Sequence, residues 1–217
     1  MRTSNAGEVG AAPLRRRDAE ENHRRLLDAA AVVFARDGLD GSVEEVARTA
    51  KLGMGTLYRH FPTKAALVEA LANDLYGELL AAGRAALDEN DGSGLERLLR
   101  AIGAALAAKR GCMARLWVGA VPEAFVAQLD EIWGELLARA KAAGVVREEC
   151  TLTDLSVVCW ALRGVIETGG EIAPAVWQRH LDFVLAGLRP GAAPLSHPAL
   201  PAKRRLEILA SHPARAR

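Results

Sequence analysis

Residues 42–64 read SVEEVARTAKLGMGTLYRHFPTK, and this stretch decides the fold. Ser42 followed by Glu45 is a capping box, so a helix opens there with Val43, Val46 and Ala47 turned inward. Gly53 marks a turn. A second short helix fits 54–60, where Leu57 and Phe61 share one face at helical spacing. Pro62 breaks the pattern, and Thr63 can cap a long helix that follows.

Two short helices about a tight turn form the arrangement with which a helix-turn-helix places its second helix in the major groove of DNA. The residues left facing outward carry suitable chemistry. Gly55 lets the backbone approach a phosphate closely. Thr56 can bond a base edge or touch a thymine methyl; Met54 can make the same methyl contact, and Arg59 faces bases beside it. Tyr58 and His60 can donate hydrogen bonds to phosphate oxygens. Lys64 lies at a helix N-terminus, where side chain and dipole both favour an anion. Arg48, on the exposed side of the preceding helix, can hold backbone, and Ser42 joins the same DNA-facing set. The Arg15-Arg16-Arg17 run reads either as a solvated tail or as a minor-groove arm.

At these residues the chain resembles the TetR family of transcriptional regulators. The block Val46–Leu67, VARTAKLGMGTLYRHFPTKAAL, carries the resemblance, with GTLYRHFPTK its most specific part. The resemblance implies a three-helix DNA-binding domain joined to a larger helical domain. That second domain forms a homodimer and usually holds a small-molecule pocket. Two positions depart from the family pattern. Lys51 stands at the turn where glycine is usual, which costs about 1 kcal/mol if the residue is left-handed. Gly53 stands where a Ser or Thr cap is usual, and glycine is a tolerable cap.

Outward from this block the chain continues as helices. Leu26, Leu27, Ala30, Val33 and Phe34 predict a first helix from near Asp18 that Gly38 ends. A long helix follows Thr63 on Leu67, Val68, Leu71, Leu75, Leu79 and Leu80. Another fits 95–109 and a short one carries Met113, Leu116 and Trp117. Pro122 suits the first turn of the next, Thr153 caps another, and Pro174 opens one more. No convincing strand alternation appears. Aromatic residues make up 5% of the chain while alanine and leucine abound, which favours helix. The fold class is therefore all-α with about nine helices: an N-terminal three-helix helix-turn-helix DNA-binding domain plus a C-terminal helical ligand-binding and dimerisation domain. The expected domains are a disordered basic arm (1–17), the helix-turn-helix domain (18–63), the ligand-binding and dimerisation domain (64–188) and a flexible Pro/Arg-rich tail (189–217), in which KRRLEILA (203–210) can form one more short helix.

Charge is distributed to match. Residues 1–64 hold 11 basic and 9 acidic side chains, whereas 65–188 hold 11 and 17, so a basic front precedes an acidic body that a polyanion would repel. Within that body the expected pocket walls are Tyr76, Met113, Trp117, Phe125, Trp133 and Cys159, a set that also fits ordinary core. Arg115, Arg163 and Glu167 are the expected polar anchors. The last two helices are the expected dimer-forming pair, through Trp160, Leu162, Val165, Ile166, Trp177, Leu181 and Val184.

The partners implied are a double-stranded DNA operator, a second copy of the chain and an unidentified small-molecule effector. No cofactor or metal is implied. No Ser/His/Asp grouping, HExxH, P-loop or dinucleotide fingerprint occurs, which argues against an enzyme. Cys112, Cys150 and Cys159 have no metal-ligand spacing and read as reduced thiols. No apolar run is long enough for a membrane span, so the expected location is cytoplasmic. The leading functional expectation is a homodimeric repressor released from a palindromic operator by a lipophilic effector. The alternatives are a ligand-independent or activating regulator, and a thiol-based redox sensor on the same scaffold.

Overall fold

The computed structural model describes residues 11–110 and 121–210. Among them the regular elements are α1 (Ala11–Asp37), α2 (Val43–Thr49), α3 (Met54–His60), α4 (Lys64–Leu87), α5 (Gly94–Ala108), α6 (Glu123–Ala142), α7 (Leu152–Gly169), α8 (Val176–Leu188) and α9 (Ala202–Ala210), with a 3-10 turn at Gly38–Asp40. The all-α expectation holds. The helix expected over Met113–Trp117 lies outside the described residues, and the last of the nine described helices comes instead from the expected tail. By its internal packing the chain divides into two units, 1–71 and 72–217, and the division falls inside the uninterrupted helix α4.

In the first unit α1 begins at Ala11, not near Asp18, so residues 11–17 belong to a helix. Leu26, Leu27, Ala30, Val33 and Phe34 form its buried stripe, and Gly38, at φ 64°, ends it. Val46 and Ala47 of α2, Leu57 and Phe61 around α3, and Leu67, Val68 and Leu71 of α4 complete this core. Half of the expected capping box forms: the Glu45 N–H donates to the Ser42 hydroxyl at 3.1 Å. The Glu45 carboxylate turns instead to Arg48 and Arg36.

The turn between α2 and α3 is a Schellman closure. The Ala50 N–H donates to Val46 (2.9 Å), and the Leu52 N–H reaches back to Ala47 (2.9 Å). That path requires a left-handed residue between them, and Lys51 supplies it at φ 55°. The Arg25 guanidinium also donates to the Ala50 carbonyl (2.6 Å), which ties α1 to this turn. Gly53 caps α3 in extended conformation without a side-chain bond.

The second unit is built on α5, whose Leu95, Leu98, Leu99, Ile102 and Leu106 are all buried. Each such side chain contributes roughly 1.5–3 kcal/mol on burial. Leu75 and Leu79 of α4, Ile132, Trp133, Leu136 and Leu137 of α6, and Leu155, Val158, Leu162 and Ile166 of α7 are buried with it. The Trp177 indole of α8 lies over Gly103 of α5, so closely that a β-carbon there would stand 2.3 Å from the ring. Two buried cations hold element ends. Lys109 pairs with Glu78 (2.6 Å) and Asp74 (3.5 Å). Arg147 donates to the Ala193 carbonyl (3.0 Å) just past α8.

Several expectations for this unit need correction. Thr151, not Thr153, caps α7: its hydroxyl accepts from the Asp154 N–H, and Asp154 returns the bond to the Thr151 N–H (2.8 Å). Thr153 is buried in the first turn. Helix α8 opens at Val176, just beyond Pro174. The expected flexible tail is in part a helix, α9, which buries Arg205 and turns Leu206 outward. Of the residues expected in a dimer interface, Leu162, Ile166, Trp177 and Leu181 are core of a single chain. The reason is physical: α7 and α8 are apolar around much of their circumference, and the stripe that α5 buries cannot also face a partner.

Two substitutions test these geometries. Lys51→Gly is expected to stabilise the first unit by about 1 kcal/mol, read from the urea midpoint, because glycine adopts positive φ without a β-carbon penalty. A lower midpoint would contradict the strain ascribed to Lys51. Gly103→Ala is expected to destabilise the second unit by about 1–3 kcal/mol through overpacking against Trp177. An unchanged midpoint would show that the indole shifts freely.

Candidate nucleic-acid interface and ligand cavity

Burial of Leu57 and Phe61 fixes the rotation of α3 about its axis, and so fixes what it offers to solvent. Gly55, Tyr58 and Arg59 are exposed, with Tyr58 46% accessible. Met54 and Thr56 are half-buried beside them. The Arg59 guanidinium donates to the Thr56 hydroxyl at 3.3 Å, so these two outward residues position one another. Tyr58, with its ring in water and its hydroxyl free to turn, is suited to donate to a phosphate oxygen.

The remaining DNA-facing candidates are each engaged to some degree. Ser42 spends its hydroxyl on the α2 cap. The Arg48 guanidinium lies in an exposed pair with Glu45. Such a pair contributes little in water and yields readily to a stronger anion. Lys64 places its ammonium 5.7 Å from the centre of the Phe34 ring, and Thr63 caps its helix by accepting from the Ala66 N–H (3.0 Å). His60 is half-buried, with its ring 5.8 Å from that of His23, which in turn packs on Phe61 at 4.8 Å. Burial, then the nearby charges of His23 and Arg59, hold its pKa below the usual histidine value. His60 therefore packs between α1 and the end of α3 as well as neighbouring the outward face. The sequence reading missed His23 and Arg25, whose roles depend on contacts between α1 and residues far along the chain.

Within the second unit an apolar cavity of about 70 Å³ lies among α4, α5, α6, α7 and α9. Tyr76, Phe125, Trp133 and Cys159 line it, as the sequence reading expected for a pocket. The Tyr76 and Phe125 rings stack at 4.4 Å. Burial raises the Tyr76 hydroxyl above the usual tyrosine pKa. Met113, Trp117 and Arg115 lie outside the described residues. Arg163 and Glu167 are not in the wall: they follow Ser156, Cys159 and Trp160 by further turns of α7 and pair with each other (2.7 Å). Trp160, expected in a dimer interface, lines the cavity instead. The polar side chains that do line it include Asp130 and Arg205, neither of which sequence spacing connects.

The exposed apolar residues of α7 and α8 are different from those expected at a dimer interface. Val157 is 42% and Phe183 is 65% accessible, with Val176 exposed beside the latter's helix start. Val165 and Val184 are half-buried and remain near that outward surface. Among the described residues no group of His, Cys, Asp and Glu could hold a metal ion, and no helix is long and apolar enough to cross a membrane.

Comparison with known proteins agrees with this architecture. Residues 26–71 match the model of bacterial regulatory proteins of the tetR family, which ends where the first unit ends. Residues 90–190 match the C-terminal domain of SbtR-like transcriptional regulators, so α9 lies beyond both matches. Curated helix-turn-helix transcriptional regulators of Staphylococcus aureus are 42% identical over 53 residues, which is 24% of this chain and 29% of theirs. A TetR transcription regulatory protein from Mycobacterium vanbaalenii is 30% identical with a TM-score of 0.62, over 80% of this chain and 98% of that one. A TetR regulator from Streptomyces coelicolor is 32% identical with a TM-score of 0.61, over 78% and 99%. The regulator LfrR from Mycobacterium smegmatis, solved with proflavine, shares the fold at 22% identity and a TM-score of 0.55, over 81% and 98%. With both units matched and whole-length relatives at 30% and 32% identity, the chain belongs to the TetR family of DNA-binding transcriptional regulators rather than to any class of enzyme.

Proposed function

We propose that the protein is a homodimeric repressor, released from a palindromic operator when a small, mainly apolar effector fills the cavity of the second unit. One observation carries this reading. Leu75, Tyr76 and Leu79 of the cavity wall belong to the same unbroken helix, α4, that starts at Lys64 beside the reading helix. A ligand that displaces the Tyr76 ring acts directly on that helix. An effector with higher affinity for the displaced form lowers operator affinity by the same factor, by linkage.

On DNA, Thr56, Met54 and Arg59 face base edges, while Tyr58, Lys64, the Gly55 backbone and Arg48 hold phosphates. A single three-helix head makes few contacts, and a twofold pair doubles them and sets half-site spacing. The exposed Val157, Val176 and Phe183 on α7 and α8 support a pairing face there. The proflavine complex of LfrR supports a ligand site in this architecture. Of the described cysteines, burial pushes the Cys159 thiol up to about 12 and Cys150 up to about 11, which leaves little reactive thiolate at neutral pH and favours the effector over the redox alternative; Cys112 lies outside the described residues.

Selection of bound sequences from a random DNA pool is expected to return an inverted repeat, and recovery of single, unpaired half-sites would contradict the twofold reading. Lys64→Ala is expected to weaken binding to all sequences and lower the slope of log affinity against log salt by about 1. An unchanged slope removes Lys64 from the phosphate contacts. Thr56→Ala is expected instead to change the selected base at one position of each half-site. Uniform loss of affinity with the preference intact would count against a base contact.

A further inference from the structure

The cavity of the second unit is small for a ligand site. Its volume is about 70 Å³. Pockets that hold drug-sized molecules run to roughly 300–1,000 Å³, and a single benzene ring takes a cavity of about 150 Å³. A wall must therefore move before an effector enters. Among the described residues, α4, α5, α6 and α7 each bury part of the unit's core, and moving any of them exposes it to water. The remaining helical wall, α9, is held differently.

Helix α9 meets the body along one stripe. Arg205 is buried, Ile208 and Leu209 are half-buried, and the other residues of Ala202–Ala210 are exposed. The i, i+3, i+4 spacing puts these three on one face. Arg205 and Leu209 line the cavity. Arg205 reaches Asp130 of α6 through both terminal nitrogens, Nη1 at 2.9 Å and Nη2 at 2.5 Å, and its side chain is 9% accessible. Such a buried pair adds little net stability, because desolvation offsets its attraction. The chain leading to α9 adds little hold. Arg147 grips the Ala193 carbonyl, but residues 194–199 are all exposed, and Pro194, Pro198 and Pro201 have no N–H to offer the body. Helix α9 also lies beyond the residues that either family model matches.

We infer that α9 is an intramolecular plug: Leu209 and the Arg205–Asp130 latch close the cavity, and the effector binds only by displacing this helix. This rests on the effector reading above and adds the step that controls entry. The apparent affinity for a ligand is then its intrinsic affinity scaled by the fraction of molecules with α9 released. Loosening the latch therefore tightens ligand binding, whereas loss of a ligand contact would weaken it.

The probe is N-phenyl-1-naphthylamine, a neutral apolar dye that brightens out of water, titrated into the full-length protein. Arg205→Glu sets two carboxylates against each other and releases α9. Its Kd for the dye is expected to fall about tenfold, the factor for a native open form populated to roughly a tenth. Leu209→Asp removes the apolar tip, leaves the ion pair untouched, and is expected to shift Kd the same way, which covers the case in which Arg205→Glu does not fold. Exchanging the charges, Arg205→Glu with Asp130→Arg, rebuilds the pair in reverse and is expected to return Kd toward the native value. In the native protein, saturation with dye is expected to speed tryptic cleavage after Lys203 and Arg204, read by mass spectrometry, because those bonds leave the docked helix. Weaker or unchanged dye binding in both single variants, or cleavage that the dye slows or leaves unchanged, would overturn the plug; dye binding by the native protein would then leave the cavity reading intact. An exchange that fails to restore Kd would overturn the Asp130 latch. Failure of the dye to bind the native protein and every variant would overturn the cavity reading together with the plug.

Discussion

Everything the first unit can do depends on burying Leu57 and Phe61 in its core. A seven-residue helix does not persist alone in water, because nucleation consumes most of what its few hydrogen bonds return. Packing supplies what length cannot. Once the two apolar side chains are seated, the 3.6-residue period leaves Gly55, Tyr58 and Arg59 outward with no further instruction. The left-handed Lys51 follows from the same requirement: the turn must be this tight for α3 to reach that seat, so the strain at one residue is offset by the core it permits.

That dependence explains why the first unit was legible. Its signals are local. A cap, a turn and an apolar pair at i,i+4 specify α2, the Schellman closure and α3 within two dozen residues. The contacts that escaped the sequence reading are those that α1 makes across the chain: Arg25 on the Ala50 carbonyl and His23 against His60. The partners lie 25 and 37 positions apart, beyond any periodic pattern.

The second unit was legible as helices and poorly legible as surfaces. On α5 the apolar residues form a single stripe, and its buried set matched the expected one. On α7 and α8 apolar residues occur nearly all round, and composition cannot say which stripe meets α5 and which meets solvent. Gly103 decides it. With no side chain there, the Trp177 indole settles onto α5 and carries Leu181 inward with it, which leaves Phe183 outside. A residue of no apparent chemical interest thereby sets which face of α8 is available to a partner.

Buried cations show the other limit. Lys109, Arg147 and Arg205 are buried, and none of them was singled out by the sequence analysis. Each is held by acceptors on a different element, and such pairs carry no spacing signature. Lys109, at the end of α5, meets two carboxylates of α4, whereas Arg147 donates to the Gly187 carbonyl in the last turn of α8, where a helix end welcomes a cation. Arg205 is different, because its helix could be held at least as firmly by an apolar side chain of similar volume against an apolar partner at Asp130. What the pair supplies is direction: both terminal nitrogens of Arg205 meet the Asp130 carboxylate, and this fork ties α9 to α6 in one orientation.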